Sequence, residues 1–555
     1  MKQFRYIFAL LVLFAVSCDL NKDLENPNEV NVNSSDPDLL LNNVELEFAS
    51  FFARATGNDN SLTNGVDGLV RMSVTAAGFT YQRAFTSQQG NSIWIDAYQN
   101  TLVNIETLLP LATAKGFTNH TGVAKIMKAY VYITLVDLYG DVPRSNAIGG
   151  DAGKFNPTVD AGKDVYDYSI ALLDEAIADL DKTASGKIKR DVYYSGDITK
   201  WKAAARTIQL KAWLNISTDP ARKSESVAAI NKLLAADIID TDAEEFTYKY
   251  GTADVPARSR SPLYRQYYRP QAASAGGYIG NYFLKQVYKG KGVEDPRWRY
   301  YFYRQVGSIA RALQSDNKSI TCGNQPKPAH YGPSDPFCSF EPGFYGRDQL
   351  DGAGTPPDSP VITCAGVYPA GGKSDTNNGD ASYLKSTIQG DGGNGAGIEP
   401  ILMSWFVDFM KAEAVLRLGI AGDARALMLS GVNKSVNRVR SFANSLGQSL
   451  PAGLEPIQDL YTSTLTTIYN NSSDKLDVVM KEYYISLYGN AIEAYNMYRR
   501  TSSPKNMQLP LSANPGAFFR SLVYPAIAIN SNTGIQQKVD GTVKVFWDKN
   551  PDVLK

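Results

Sequence analysis

KWKAAARTIQLKAWLNIS, at residues 200–217, carries the clearest helical pattern in the chain. Its apolar residues recur every three or four positions, which places them on one face of a helix: Trp201, Ala204, Ile208 and Ala212. Asp197 stands just before this stretch and is a favourable N-cap residue. An apolar face of this width has to be covered, so the sequence predicts that other helices pack against this one.

Helices of the same kind are predicted on both sides of residues 200–217. Towards the N-terminus, one helix ends near Tyr139, a second runs through Ile170 to Leu180, and a shorter one follows the central stretch at about 222–236. Towards the C-terminus, a helix that begins near Trp405 ends at Gly419, and Asp423 caps the next. These elements predict two helical blocks, at about 41–240 and 400–510.

A stripe of mostly aromatic residues is predicted in the last helix of the second block. Its members are spaced by 4, 3, 4 and 3 residues: Tyr484, Tyr488, Ala491, Tyr495 and Tyr498. This spacing favours a buried face over a binding face. Paired helices with small residues at their crossings are typical of tetratricopeptide-like hairpins, although no strict 34-residue repeat is present. The predicted fold class is therefore mainly α, with such hairpins as a scaffold.

Residues 241–399 interrupt the helical pattern with a stretch rich in Gly, Pro, Ser, Asn and Tyr. So long a stretch inside a compact domain is expected to be functional or internally ordered. We interpret it as a large loop-rich insertion with a few short strands that binds a ligand, since binding residues favour loops held by a rigid scaffold. An irregular C-terminal segment is expected at 511–555, and residues 41–555 are expected to form a single body.

The N-terminus predicts export and lipid attachment. Lys2 and Arg5 precede a short apolar run, Tyr6 to Val16, and the string AVSC ends at Cys18. The run is too short to cross a bilayer and is typical of a signal peptide, here residues 1–17. AVSC resembles the bacterial lipobox, in which the cysteine becomes the acylated N-terminus. Residues 18–40 are polar and rich in Asn and Asp, which predicts an extended tether.

Composition and missing motifs narrow the function. Lys and Arg number 56, and so do Asp and Glu, so the basic excess typical of nucleic-acid binders is absent. The chain has only two histidines, His120 and His330, and both are expected to be ordinary surface or loop residues. GDGGNG at 390–395 satisfies G-x-G-x-x-G without a surrounding βαβ unit, and SDTNNGD at 374–380 lacks the spacing of a calcium loop. We therefore expect no catalytic residue, no metal site and no cofactor, although the oxygen-rich side chains at 374–380 leave a loosely bound calcium ion open.

Three further cysteines, Cys322, Cys338 and Cys364, lie in the loop-rich stretch. An exported chain permits disulfides, but an odd number leaves one thiol over. The sequence leaves their pairing open.

Several segments, in a fixed order along almost the whole chain, resemble the SusD/RagB family of nutrient-binding outer-membrane lipoproteins. They are ENPNEV at 25–30, LVDLYGDVP at 135–143, the stretch at 200–217, EDPRWRYYF at 294–302, KAEAVLRLG at 411–419, LYGNAIEAYNMYRRTSSP at 487–504, FFRSLVYPAIAIN at 518–530 and VKVFWDKN at 543–550. Each match is weak alone, and their order makes the set specific.

The resemblance implies a function and a location. Such proteins are lipid-anchored at the outer membrane, facing outwards, and act without catalysis or cofactor as a lid on a SusC-like TonB-dependent transporter barrel. The ligand is a glycan or a peptide, with an oligosaccharide or polysaccharide favoured here. Candidate ligand residues are aromatic or Arg side chains in polar loops, where rings pack on sugar CH faces and guanidinium groups orient hydroxyls: Tyr81, Arg83, Phe85, Tyr267, Tyr268, Tyr345 and Arg347.

Two other classes of function stay open on the sequence. A surface glycoside hydrolase or peptidase needs a site that no local motif reveals, and an adhesin needs only an exposed helical face. Turnover assays separate the first from a binding protein, and recovery of a transporter partner separates uptake from adhesion.

Overall fold

The computed structural model describes most of the chain beyond its first 34 residues. The described residues are 35–57, 65–74, 78–150, 153–253, 259–267, 278–304, 326–337, 339–340, 344–351, 363–371, 392–450, 453 and 455–551. The predicted signal peptide, Cys18, Cys322 and Cys338 lie outside them, as do residues 374–380. Of Cys364 only the backbone is described.

Helices dominate the described residues, which confirms the predicted mainly α fold. The first half contains α1 (Pro37–Thr56), α2 (Val66–Leu69), α3 (Tyr81–Ala84), α4 (Asn91–Trp94), a π-helix (Ile95–Leu102), α5 (Val103–Ala114), α6 (Thr118–Tyr139), α7 (Gly162–Leu180), α8 (Ile198–Ile216) and α9 (Lys223–Leu234). The loop-rich middle contains α10 (Pro262–Tyr267), α11 (Asn281–Tyr288) and α12 (Trp298–Tyr301). The second block contains α13 (Ser404–Leu418), α14 (Ala424–Ser445), α15 (Gln458–Asn471), α16 (Lys475–Ser486) and α17 (Ala491–Thr501), and α18 (Ala526–Ser531) follows.

Consecutive helices pack in pairs, as the sequence predicts for tetratricopeptide-like hairpins. Helix α6 lies along α7, and α13 lies along α14. Asp197 and Asp423 cap α8 and α14, where each carboxylate accepts two backbone N–H groups. Gly419 ends α13 in the left-handed conformation that glycine adopts readily. The described residues therefore confirm the caps and pairings that position the two helical blocks.

Helix α1 begins inside the segment predicted to be an extended tether. Pro37 occupies its first turn, where the missing N–H group costs nothing, and Asp36 Oδ1 accepts a hydrogen bond from Asp38 N at 3.0 Å. Leu41 and Phe48 are buried in the core from the next turns. Pro37 starts this helix, so residues 37–40 belong to the folded body and not to the predicted tether.

The tyrosine stripe is divided between two helices, with Tyr488 in the turn that joins them. A break at Leu487–Asn490 separates α16 from α17, with Gly489 at φ +91° and the Asn490 side chain accepting from Glu493 N. All five residues of the stripe are buried, which confirms the predicted core position. The prediction of a single helix was wrong because the stripe keeps its helical spacing across the turn.

The loop-rich middle contributes short antiparallel strand pairs. Strand β1 (Phe246–Lys249) pairs with β6 (Ile398–Leu402), β2 (Phe302–Arg304) with β5 (Thr363–Ala365), and β3 (Ser339–Phe340) with β4 (Phe344–Tyr345). The β1–β6 pair joins the two ends of this middle stretch next to α13. Gly392–Gly395 forms a 3₁₀ turn and not the start of a helix after a parallel strand, as a dinucleotide-binding loop would.

A buried network of charged side chains joins the two helical blocks. Lys211 Nζ lies 3.2 Å from Asp137 Oδ2 and 3.4 Å from Glu493 Oε2. Arg500 donates to both carboxylate oxygens of Glu413, at 2.7 and 2.8 Å, and to Glu493 Oε1 at 3.0 Å. All five side chains are almost completely buried. Because each charge has an opposite partner, the network fixes how α6, α8, α13 and α17 meet.

His120 corrects the expectation for the two histidines. It lies in α6, is fully buried, and its Nε2 is 3.4 Å from Asp38 Oδ1 on α1. Burial lowers its pKa, and Asp38 opposes that effect. His330 does lie in a loop, half-buried, with Nε2 2.7 Å from the carbonyl oxygen of Pro510. His120 is buried because it lies on the face of α6 that packs against α1.

Candidate functional site

Four remote segments meet where the helical scaffold supports the loop-rich middle. Residues 72–74 pair with 278–280: Gly280 N donates to Met72 O, and Val74 N donates to Tyr278 O. Residues 279–281 pair in turn with Arg347, and Leu511 N donates to Gln349 O. We name this region, formed by residues 71–74, 278–281, 347–349 and 508–511, the ladder junction.

Arg71 stabilises the ladder junction through hydrogen bonds from a buried guanidinium group. Its side chain is 2 % exposed and its backbone has φ +66°. The three groups that accept hydrogen bonds from its guanidinium are neutral. Its guanidinium donates to Gln508 O at 3.0 Å, to Leu69 O at 2.6 Å and to the Tyr81 hydroxyl at 2.6 Å. A buried arginine held in this way orients the groups around it.

Asp348 is the buried acid of the ladder junction. Its Oδ1 accepts from Asn281 Nδ2 at 2.9 Å and from Gln508 Nε2 at 2.8 Å. Burial raises the pKa of Asp348 to about 7, and the two amide donors oppose that shift. Neutral amides hold this carboxyl in place, and Gln508 links it to the carbonyl oxygen of Pro336.

Gly280 has no room for a side chain at this crossing. A Cβ atom there would lie 2.2 Å from the backbone oxygen of Arg71. We expect Gly280→Ala to lower the free energy of unfolding by about 1–3 kcal/mol, because backbone has to move to relieve the overlap. Gly251→Ala, where the nearest atom is at 3.6 Å, is the control. Urea denaturation of both variants measures the effect, and equal stability would contradict this close approach.

The candidate ligand residues near Tyr81 differ in their access to solvent. Tyr81 and Phe85 are 1 % and 3 % exposed and belong to an aromatic cluster with Phe518 and Phe519. Arg83, on the opposite side of the short helix α3, is exposed. The buried Tyr81 therefore accepts a hydrogen bond from Arg71 inside the fold, while Arg83 lies at the surface.

The candidate residues of the middle stretch are only partly described. Arg347 is buried in the ladder junction, where its Nη1 lies 2.5 Å from Asp351 Oδ2 and its guanidinium carbon 4.9 Å from the centre of the Tyr278 ring. Tyr267 ends α10 and Tyr345 lies in β4, but their side chains, and all of Tyr268, are outside the described residues. Tyr81 contacts Arg71 and Arg347 pairs with Gly280, so both candidates lie at the ladder junction. Ligand contact by any of these residues stays a prediction.

A cleft of about 300 Å³ opens beside the ladder junction. Tyr282 and Lys285 of α11 form one wall, Asp335 and Pro336 a second, and Leu465 of α15 with neighbouring apolar residues a third. Pro336 belongs to both the cleft wall and the hydrogen-bond chain of Gln508 and Asp348. The volume stands at the lower end of the range of roughly 300–1,000 Å³ that small-molecule sites occupy. This cleft is the candidate functional site.

Lysines surround the cleft, and three of them are paired. Lys291 lies 2.9 Å from Glu482 Oε1, Lys481 lies 2.8 Å from Asp477 Oδ2, and Lys505 is ion-paired with Asp474. The described residues contain no cluster of three or more His, Cys, Asp or Glu side chains placed to hold a metal ion. The cleft therefore combines apolar surface, cations and hydroxyl groups, a mixture suited to binding a polar organic molecule.

The SusD-like family model, described as starch-binding and associating with the outer membrane, matches residues 27–325. This match spans more than half of the chain. The chain belongs to the SusD-like family. A search of curated proteins finds no match to this SusD-like protein.

Solved structures share the fold of the SusD-like protein over nearly its full length. A SusD/RagB family protein from Bacteroides thetaiotaomicron has 17 % identity and a TM-score of 0.67, a chitin-binding protein has 21 % and 0.62, and a SusD homolog from Bacteroides uniformis has 19 % and 0.59. Each comparison covers 93 % of this chain and 100 % of the other. At these identities the likeness establishes the fold alone.

Sequence reasoning missed Arg71, Asp348 and Gln508 in the ladder junction, and Tyr282 and Lys285 in the cleft. The first three come together from positions up to 437 residues apart, and no local motif marks them. Tyr282 and Lys285 share the spacing of one helical face, but α11 has only eight residues between glycine-rich segments. That three-residue spacing was the one available signal.

Proposed function

We propose that this SusD-like protein captures an oligosaccharide or polysaccharide at the cell surface, without catalysis, and delivers it to a TonB-dependent outer-membrane transporter. The observation that carries the proposal is the match, over residues 27–325, to a family described as starch-binding and associating with the outer membrane. A rigid helical scaffold beneath an irregular face with an open cleft suits binding by residues on loops. A solved neighbour is named a chitin-binding protein, which supports a glycan ligand.

The competing ligand class is peptide, and binding measurements distinguish the two. Purified protein is titrated with a panel of neutral and acidic oligosaccharides and with short peptides. We expect heat of binding with at least one glycan and none with the peptides. Binding to peptides alone would contradict the glycan assignment and favour a peptide-uptake role.

The competing activity is hydrolysis by a surface enzyme. Incubation of the bound glycan with stoichiometric protein, followed by chromatography of the products, tests it. We expect the chain length of the glycan to stay unchanged. Shorter products that form in proportion to protein concentration would establish an enzyme.

Attachment to the outer membrane through acyl chains on Cys18 belongs to the same proposal. Within the described residues, no helix has the length and apolar character needed to cross a bilayer. Two or more acyl chains anchor a protein stably, whereas one binds only marginally. We expect Cys18→Ala to move the protein from the membrane fraction to the soluble fraction without a change in melting temperature.

Fractionation of cells that lack the transporter checks the Cys18→Ala prediction, since a bound partner would hold the variant at the membrane. Ser34→Thr, a change outside the AVSC string, controls for general effects on export. A Cys18→Ala protein that still sediments with these membranes would contradict lipid anchoring.

A further inference from the structure

Tyr282 has an unpaired hydroxyl group at the wall of the cleft. It is 4 % exposed and lines the cleft wall. Its hydroxyl oxygen is buried without a hydrogen-bond partner among the described residues. A buried hydroxyl normally finds a partner, because leaving it unpaired costs free energy. A ligand atom in the cleft is one source of that partner.

Lys285 brings a cation that has no carboxylate partner among the described residues. The ammonium group of Lys285 donates to the carbonyl oxygen of Ser334. It forms no ion pair among the described residues, whereas Lys291, Lys481 and Lys505 each do. Burial lowers the pKa of Lys285, the nearby carboxylate of Asp335 opposes this effect, and the charges of Lys327 and Lys481 add to it. An anion beside Lys285 would offset that loss of hydration.

The two groups are three residues apart on α11, so they share one face of that helix. Leu465 and Ile468 of α15 and Val478 of α16 give the cleft an apolar lining. The cleft therefore combines one cation and one hydroxyl donor from α11 with apolar surface from α15 and α16. Such a pair of donors fits the two oxygens of a carboxylate.

We propose that this cleft binds the carboxylate of an acidic sugar residue, with Lys285 and Tyr282 as its donors and the apolar wall against the sugar ring. The proposal rests on the proposed function and names the substrate class for it. Asp335 and Glu482 also line the cleft, so a singly charged carboxylate is repelled less than a doubly charged phosphate would be. The small volume favours one or two sugar rings, such as the end of a chain.

Calorimetric titration of the full mature protein, purified in detergent, tests the proposal with digalacturonate and its dimethyl ester. The ester keeps the rings and removes the charge. We expect the ester to bind roughly ten-fold more weakly, the ratio typical of losing one charge-assisted hydrogen bond. Lys285→Met is expected to abolish this preference for the acid, and Tyr282→Phe to weaken binding of the acid by about five-fold. Lys289→Met, an exposed lysine just beyond α11, is the matched control and is expected to change neither.

Equal affinity for acid and ester, or an unchanged preference in Lys285→Met, would overturn the proposal. So would tighter binding of a dipeptide of two glutamates than of digalacturonate, since the carboxylate would then come from a peptide. Neutral oligosaccharides are titrated in parallel. If they bind while digalacturonate does not, this inference fails and the proposed function stands, whereas failure of every glycan overturns both.

Discussion

Arg500→Ala is expected to lower the free energy of unfolding by about 3–5 kcal/mol, the range for removing one partner of a buried ion pair. The guanidinium of Arg500 donates to both oxygens of Glu413, to Glu493 Oε1 and to Asn215 Oδ1. Nearby charge from Glu413 and Glu493 more than offsets the effect of burial and raises the pKa of Arg500. Without Arg500, two buried carboxylates lose their shared cation, and neither can reach water.

Denaturant titration followed by circular dichroism measures this loss. Arg425→Ala is the matched control, because Arg425 is a half-buried surface arginine that donates to the side chain of Asn470. Surface changes of that kind usually stay within about 0.5 kcal/mol. If Arg500→Ala is no less stable than Arg425→Ala, the buried network does not hold the two helical blocks together.

Glu45→Gln is expected to make the protein more stable at alkaline pH than the native chain. Glu45 lies on α1, fully buried, where Oε2 accepts from Val192 N at 2.8 Å and Oε1 has no partner. Burial, followed by the negative charge of Asp191, raises the pKa of Glu45 from 4.5 to about 9. The neighbouring hydrogen-bond donors are bonded to Asp191 instead of Glu45. They are the backbone N–H groups of Tyr193, Tyr194 and Gly196 and the indole N–H group of Trp201.

The sign of the pH dependence follows from that shift. The folded protein keeps a proton on Glu45 that the unfolded chain releases above about pH 4.5, so the stabilisation is complete below that pH and is lost as pH rises towards about 9. A difference of one bound proton changes the free energy of unfolding by about 1.4 kcal/mol per pH unit. Glutamine cannot ionise, so it removes this slope.

Unfolding free energies at pH 6, 7 and 8 check the prediction, with the variant compared with the native protein at each pH. Glu175→Gln, at a side chain that is 61 % exposed, controls for the loss of one carboxylate and is expected to follow the native slope. Parallel curves for Glu45→Gln and the native protein would contradict a protonated Glu45 in the fold.

Helices with a regular apolar period could be predicted from sequence, since their burial depends on residues three and four positions apart. Helix α8 is the clearest case, where Asp197 and Trp201 together indicate both the start and the buried face. Helix boundaries were harder to predict where one residue is compatible with two backbone conformations. Pro37 is compatible with an extended chain and with a helical first turn, and its role depends on the partners of α1 far along the chain.

The candidate site could be predicted only as a region. Its location in the loop-rich middle follows from composition, but the residues that build it depend on contacts that no local pattern encodes. Arg347 illustrates this, because an arginine in a Gly-, Tyr- and Phe-rich loop suits ligand binding, whereas the fold pairs it with Asp351 at the ladder junction. Lys285 shows the reverse, since its importance follows from the fold, which leaves it without an ion pair among the described residues although Asp335 lies nearby.

Purification of the protein from detergent-solubilised outer membranes through a C-terminal affinity tag tests the central claim of surface capture for uptake. We expect a large TonB-dependent transporter to be recovered with it in near-equal amount, and we expect Cys18→Ala to retain this partner when both are expressed. Recovery of the native protein from the membrane alone, under conditions that preserve known membrane complexes, would contradict a role in uptake and favour an adhesin.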